Sequence, residues 1–409
     1  MDHHLSQRTS TAQRSAIREL LALTEKPEII SFGGGLPAPE TFPHEELADI
    51  AAELIRTQYA KVLQYGATEG SATLRDEVVR WLAPQGVFVT REELLITTAS
   101  QQGLDLLAKA FIDPGDVVFC GLPTYLGAIQ AFRMFQTDLV GVPLEDDGMN
   151  LDRLEERIAE TRAEGKRAKA VYVVPDFQNP SGITMSGAKR ERLLDIARRE
   201  DLLIFEDDPY GQLRFAGEPI PSICSLDTEG RVILLLTFSK VLAAGLRLAA
   251  VVARGPLMDP LVVAKQAADL CTSKLTQHLA AHYMKRCGLE QHLETIRSVY
   301  RVKRDAMIAA LERYMPQHEG ISWTHPDGGL FLWVRLPEGL DTGEMFRRAI
   351  EHNVAYVTGS AFYVDGGGKN TMRLSYSVVT EEQIDEGIKR LAVLIGEELA
   401  TLGVRQAVA

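Results

Sequence analysis

Lys240 ends the stretch Thr237-Phe238-Ser239-Lys240, at the close of the apolar run VILLLT (232–237) and just ahead of Gly245-Leu246-Arg247. A lysine beside a strand that is apolar on both faces loses hydration. A desolvated lysine sheds its proton readily and becomes a Schiff-base nucleophile. A solvated loop lysine is the plain alternative, and the local sequence leaves both open. Phe205-Glu206-Asp207-Asp208-Pro209-Tyr210 ends another apolar strand in carboxylates. One of these acids could hold a protonated ring nitrogen, although acids in a solvated turn look the same. Pro175-Asp176-Phe177-Gln178-Asn179-Pro180-Ser181-Gly182 follows a third strand, with Asn-Pro and Ser-Gly pairs that also read as turn signals. Thr97-Thr98-Ala99-Ser100-Gln101-Gln102 brings hydroxyls to a helix start. Free N–H groups and the positive dipole end suit a phosphate there, while a simple N-cap is the reading in isolation.

These segments need elements that hold them together. Short β-branched runs alternate with longer amphipathic stretches: LLITT (94–98), VVFC (117–120), AVYVVP (170–175) and LLIFED (202–207), followed by VILLLT and LAAVVA (248–253). That alternation is the pattern of a mostly parallel sheet flanked by helices, whose strands bind ligands at their carboxyl ends. Helices are expected from about Glu45 to Ala83, over Pro256–Arg286 and over Glu290–Tyr314. Beyond them LFLWVRL (330–336) and MRLSYS (372–377), interleaved with helices, suggest a smaller α/β unit of antiparallel character.

Composition narrows the class. The 409 residues carry 44 Lys plus Arg against 56 Asp plus Glu, a net charge of −12, which disfavours a protein that holds nucleic-acid phosphates. Cys120, Cys224, Cys271 and Cys287 have no metal or disulfide spacing, so reduced thiols and a cytoplasmic location are expected. No run approaches the roughly 18 apolar residues of a membrane span. His278 and His282 share one helix face but lack a third ligand, so no metal is expected. Gly366-Gly367-Gly368-Lys369 lacks phosphate-loop spacing and reads as a turn, and Arg153–Arg167 reads as a solvated helix. Phe331, Trp333 and Leu336 read as core.

Taken in order, these motifs resemble the fold-type-I pyridoxal-phosphate enzymes, the aspartate aminotransferase superfamily, over nearly the whole chain. Within it the chain looks most like the 2-aminoadipate and kynurenine branch. Ile17-Arg18-Glu19-Leu20, Ser31-Phe32-Gly33-Gly34-Gly35-Leu36-Pro37, Gln64-Tyr65-Gly66-Ala67-Thr68-Glu69-Gly70, and Ala361-Phe362 through Arg373-Leu374-Ser375-Tyr376 carry that likeness. The resemblance implies a large domain with a mostly parallel seven-stranded sheet (45–295), a smaller α/β C-terminal domain (296–409) and an N-terminal segment over the active site (1–44). It implies pyridoxal 5′-phosphate bound to Lys240, with Asp207 on the pyridine nitrogen and Tyr210 and Asn179 on the phenolic oxygen. Tyr125 would stack on the ring. Ser100, Gln101, Thr237 and Arg247 would hold the phosphate, joined by Tyr65 from the other subunit of a homodimer. Arg373, with Asn179 and the Gly35 backbone, would clamp the substrate α-carboxylate.

The implied reaction is transfer of the amino group of an L-amino acid to 2-oxoglutarate or another 2-oxo acid. Arg18, with Ser15 nearby, stands where branch members hold a distal carboxylate, which favours 2-aminoadipate or glutamate. Aromatic, kynurenine-like or branched-chain substrates are the alternative, as is a pyridoxal-phosphate lyase or synthase on the same fold. The branch also resembles the effector domain of winged-helix transcription regulators, which the acidic charge and the short stretch before the first motif disfavour. Three positions depart from the pattern. Leu236-Thr237 stands for the usual Gly-Ser, putting phosphate affinity in doubt, while Ala244 and Thr358 stand for prolines, which predicts looser loops.

Overall fold

The structure, a computed structural model, describes residues 4–10 and 26–408. Ser15 and Arg18, with the Ile17–Leu20 motif, lie outside the described residues. After β1 (Ile30–Ser31), the central sheet is built from β2 (Leu94–Thr97), β3 (Val117–Leu122), β4 (Asp138–Glu145), β5 (Gly148–Met149), β6 (Ala168–Val173), β7 (Leu203–Asp208), β8 (Val232–Thr237) and β9 (Ala249–Val252). The order is β2-β9-β8-β7-β6-β3-β4-β5. Pairing is parallel from β8 through β7, β6 and β3 to β4, and β9 runs antiparallel to both its neighbours. The seven-stranded expectation therefore holds, with the two-residue β5 folded back on β4 as an eighth strand. Every residue of β2, β8 and β9 is buried, which is why these segments read as unbroken apolar runs. Helices Ala99–Phe111, Leu126–Arg133, Leu151–Ala163 and Gly187–Arg199 link the strands.

Sequence patterning missed β4, whose Gly141 and Pro143 weaken a strand signature and whose residues are mostly half-buried. Gly141 is required by packing, since a Cβ there would lie 2.5 Å from the Leu122 side chain. The single helical stretch expected over Pro256–Arg286 is two helices, Met258–Asp269 and Lys274–Arg286, separated at Leu270, whose φ is +65°. A leucine in that region of φ/ψ space ends a right-handed helix.

The second sheet is antiparallel, as expected, in the order β10 (Ser322–Trp323), β11 (Phe331–Arg335), β14 (Thr371–Ser375), β13 (Val357–Thr358). β1 pairs in parallel with β12 (Val354–Ala355), tying the glycine-rich segment after Ser31 to this region. Thr358 corrects one expectation. It is buried and lies in β13 in register with Met372, so its segment is a paired strand and not a loosened loop.

Candidate active site

The carboxyl ends of β6, β7 and β8 and the first turns of the helices after β2 and β3 bring the four motif segments together. β7 and β8 are parallel neighbours with Asp207 opposite Leu235, so the acid and the lysine leave the sheet from adjacent strand ends. Lys240 sits in a π-helical turn, Ser239–Ala243, immediately after β8. Its Nζ donates to the Gly35 carbonyl at 2.7 Å. Burial, then the nearby Arg373 and Arg247 guanidinium groups, pulls its pKa down to about 8. The solvated-loop alternative is thereby set aside: this amine has an appreciable neutral fraction near neutral pH.

Arg373 extends from β14 and is buried, with Nη1 donating to Asn179 Oδ1 at 2.8 Å and Nη2 to the Gly33 carbonyl at 2.7 Å. The guanidinium carbon lies 4.3 Å from the centre of the Phe331 ring and 5.2 Å from that of Phe362. Among the described residues Nε has no hydrogen-bond partner. Burial lowers its pKa to about 10, a range in which it remains cationic. A buried, flanked guanidinium with an unused donor is suited to a carboxylate. Gly33 is the backbone partner of Arg373, and the Gly35 carbonyl accepts from Lys240. One three-residue segment, Gly33–Gly35, thus spans the amine and the guanidinium.

Asp207 is 3% exposed and accepts from the Tyr172 hydroxyl at 2.8 Å. Burial raises its pKa to about 7. Glu206 points to the other face of the sheet and accepts from the Ile223 and Cys224 amides at 2.8 and 2.7 Å, so it has a structural task. Because the native pKa of Asp207 is raised, the folded protein keeps a proton that the unfolded chain releases between about pH 4 and 7. Stability from this group is present at acid pH and lost as the pH rises through about 7. Asp207→Asn is therefore expected to raise the apoprotein Tm by a few degrees at alkaline pH and to leave it nearly unchanged at acid pH, read by thermal unfolding.

Tyr210 is buried, receives a hydrogen bond from Asn179 Nδ2 at 3.4 Å and stands edge-on to Phe331 at 5.8 Å; burial raises its pKa. Tyr125 precedes the helix Leu126–Arg133, and its ring passes close over Gly127, where any Cβ would be 2.5 Å from it. Gln101 Nε2 donates to the Gly127 carbonyl at 2.9 Å, joining the two helix starts. The N-cap of the helix Ala99–Phe111 is Thr98, whose side chain makes no cap bond, so the plain N-cap reading of this stretch is not met. The Thr237 hydroxyl donates to Ser239 Oγ at 3.0 Å and accepts from the Ser239 amide at 3.2 Å. Arg247 follows the short turn Ala244–Leu246. Ala99, Phe177 and Arg247 all have positive φ (64°, 47° and 48°), a costly conformation for side-chain-bearing residues that recurs at built sites. Tyr65 stands apart from this cluster, 78% exposed.

With the geometry in view, the comparisons decide the family. Residues 30–391 match the family described as Aminotransferase class I and II. The chain belongs to it. The chain is 45% identical to an aromatic-amino-acid aminotransferase 1 of Thermococcus litoralis, over 97% of this chain and 95% of that protein. It is 46% identical to a 2-aminoadipate transaminase of Thermus thermophilus, over 93% of each. The solved structure of a Pyrococcus horikoshii kynurenine aminotransferase in complex with PMP shares 46% identity and a TM-score of 0.93, covering 97% of this chain and 98% of that one. The protein is thus a pyridoxal-phosphate-dependent aminotransferase of fold type I. The donor set fits that cofactor: an amine of lowered pKa, a buried carboxylate, a phenol beside an amide, an uncapped helix start and an arginine. Each matches one of its aldehyde, ring-nitrogen, phenolic and phosphate groups.

The sequence did not mark Tyr172, read only as a strand residue, or the part Phe331 and Phe362 take in flanking Arg373. The alternation of Phe331 and Trp333 was compatible with core, and Phe331 is core, 1% exposed, while also forming the wall against which Arg373 and Tyr210 rest. His278 is 1% exposed with both ring nitrogens unpartnered among the described residues, and its pKa is lowered by burial to about 4. No group of metal-binding side chains occurs among the described residues.

Proposed function

We propose that this aminotransferase moves the amino group of L-2-aminoadipate or L-glutamate to 2-oxoglutarate or another 2-oxo acid by a ping-pong exchange. The observation that carries the reaction is the Gly33–Gly35 segment, which accepts from Arg373 at one end and from Lys240 at the other. A substrate whose carboxylate meets Arg373 would present its α-carbon toward the Lys240 amine. When bound, pyridoxal phosphate takes the substrate amine at its aldehyde carbon and draws electrons from the cleaved Cα–H bond into its ring. Lys240 would hold the cofactor in the resting protein, then remove the proton from the substrate Cα and return it to the cofactor carbon. Its lowered pKa suits both directions of transfer. Asp207 would face the ring nitrogen, Tyr210 and Asn179 the phenolic oxygen, and Tyr125 the ring face. Ser100, Gln101, Thr237 and Arg247 would hold the phosphate, and Arg373 with Asn179 the α-carboxylate.

The exposure of Tyr65, with Tyr59 and Leu63 exposed nearby, supports a homodimer in which Tyr65 reaches the partner's phosphate. No helix among the described residues is long and apolar enough to cross a membrane. The division into an N-terminal segment (1–44), a large domain (45–295) and a small domain (296–409) rests on the two sheets, which lie within 94–252 and 322–375.

The distal carboxylate of 2-aminoadipate would meet Arg18. The names of the Thermococcus and Pyrococcus relatives favour a second reading, aromatic or kynurenine-like donors, equally well. Arg18→Ala separates the two. It is expected to lower kcat/KM for 2-aminoadipate about 100-fold while leaving phenylalanine within about threefold, as befits loss of one charge-assisted contact. An equal effect on both donors would remove Arg18 from substrate choice.

A further inference from the structure

Asp207 accepts a hydrogen bond from a buried phenol on the neighbouring strand. We propose that Tyr172 is a positioning residue for Asp207: its hydroxyl, donating to Oδ2 at 2.8 Å from the neighbouring parallel strand β6, fixes that oxygen, leaving the other oxygen for the cofactor's ring nitrogen. This rests on the reading of Asp207 given above.

Tyr172 is 1% exposed, and a buried phenol needs an acceptor as much as a buried carboxylate needs a donor. Its ring cannot swing away, because Phe132 packs edge-on against it at 5.7 Å and itself stacks on Phe205 at 6.0 Å. Across the strand pair, Tyr172 is in register with Phe205, which carries the hydroxyl past the end of that residue to Asp207. Three titratable groups act on Asp207: Tyr172 from β6, Asp208 beside it and Tyr210 just beyond. Strand β8 meets it with the apolar Leu235, and Tyr125 acts on Tyr172 and Tyr210. Among the described residues Tyr172 is the side chain that donates to Asp207, and this bond opposes the upward push of burial and of the Asp208 charge.

Without the hydroxyl, Asp207 should keep its proton to higher pH. A neutral acid offers no charge to a protonated ring nitrogen, so cofactor affinity should begin to fall at higher pH on acidification. A hydrogen bond to a charged group corresponds to about one pH unit, or about tenfold in affinity near pH 7.

The test is a titration of the apoprotein with pyridoxal phosphate, followed by fluorescence through the neutral range. The proteins are the wild type, Tyr172→Phe, Asp207→Asn and, as control, Tyr356→Phe, whose buried hydroxyl donates to the Thr342 carbonyl elsewhere. The acid limb of Tyr172→Phe is expected to move up by about one unit, with affinity recovering at alkaline pH. Asp207→Asn should bind weakly with no such limb, and Tyr356→Phe should follow the wild type. Incorporating 3-fluorotyrosine at 172, a stronger donor of similar shape, should move the limb down. That variant keeps the test open if Tyr172→Phe does not fold. A Tyr172→Phe curve that overlays the wild type, or is weakened equally at every pH, while Asp207→Asn differs, would reduce Tyr172 to packing. An Asp207→Asn curve that overlays the wild type would overturn the Asp207 reading and this proposal with it.

Discussion

Lys240→Ala is expected to lower transamination by at least about 10⁴-fold for every amino donor, because one side chain would supply both the covalent attachment and the proton transfer. No neighbour can substitute. Asp207, Tyr210 and Asn179 sit around the strand ends, but the charged groups that act on the amine are arginines, Arg373 and Arg247, which do not give up their protons at working pH. The variant should still bind pyridoxal phosphate, since the residues proposed to hold its phosphate and ring remain, but should lose the visible band of the lysine-linked form. Steady-state rates with several donors, read beside the absorption spectrum, check this. Residual activity within about tenfold of wild type would place the nucleophile elsewhere.

Arg373→Ala is the second large effect. It should lower kcat/KM by about 10³-fold, and equally for 2-aminoadipate, glutamate and phenylalanine, because the α-carboxylate it would bind is common to all. Arg373→Lys should recover only part of this. A lysine cannot keep the Asn179 and Gly33 bonds and offer a third donor in the same plane, and it loses the flat contact with Phe331. The cofactor spectrum of both variants should be that of the wild type. A loss confined to one class of donor would mean that Arg373 reads the substrate side chain and not its α-carboxylate.

The contrast between what the sequence disclosed and what it concealed follows from where each signal lies. β7 and β8 are buried throughout or nearly so, hence their apolar runs, and a charged residue closing such a run stands out; that drew attention to Asp207 and Lys240, while the roles proposed for them came from the family likeness. The parallel sheet was legible from the same runs, whereas β4, half-exposed and broken by Gly141 and Pro143, was not. Tyr172 looked like one more strand residue, because only its strand's register against β7 brings its hydroxyl to Asp207. The bonds that the Gly33 and Gly35 carbonyls accept were equally hidden. Glycine carbonyls carry no side-chain signature, and the assignment depends on how β1 and β12 place the segment. Thr358 misled by analogy with proline, whose loss matters in a loop but not in a paired strand. Arg18 is legible only through family likeness, and its role rests on the kinetic contrast between donors.

The most direct measurement is a single half-reaction. The purified protein, loaded with pyridoxal phosphate and freed of oxo acids, is mixed with L-2-aminoadipate and, separately, with L-phenylalanine, while the absorption spectrum and the released product are followed. Bleaching of the lysine-linked band, with one equivalent of oxo acid released per subunit and the amino group retained on the cofactor, is the expected result. Release of ammonia or carbon dioxide with the band restored would contradict transamination at this site, as would an unchanged spectrum with every L-amino acid tried.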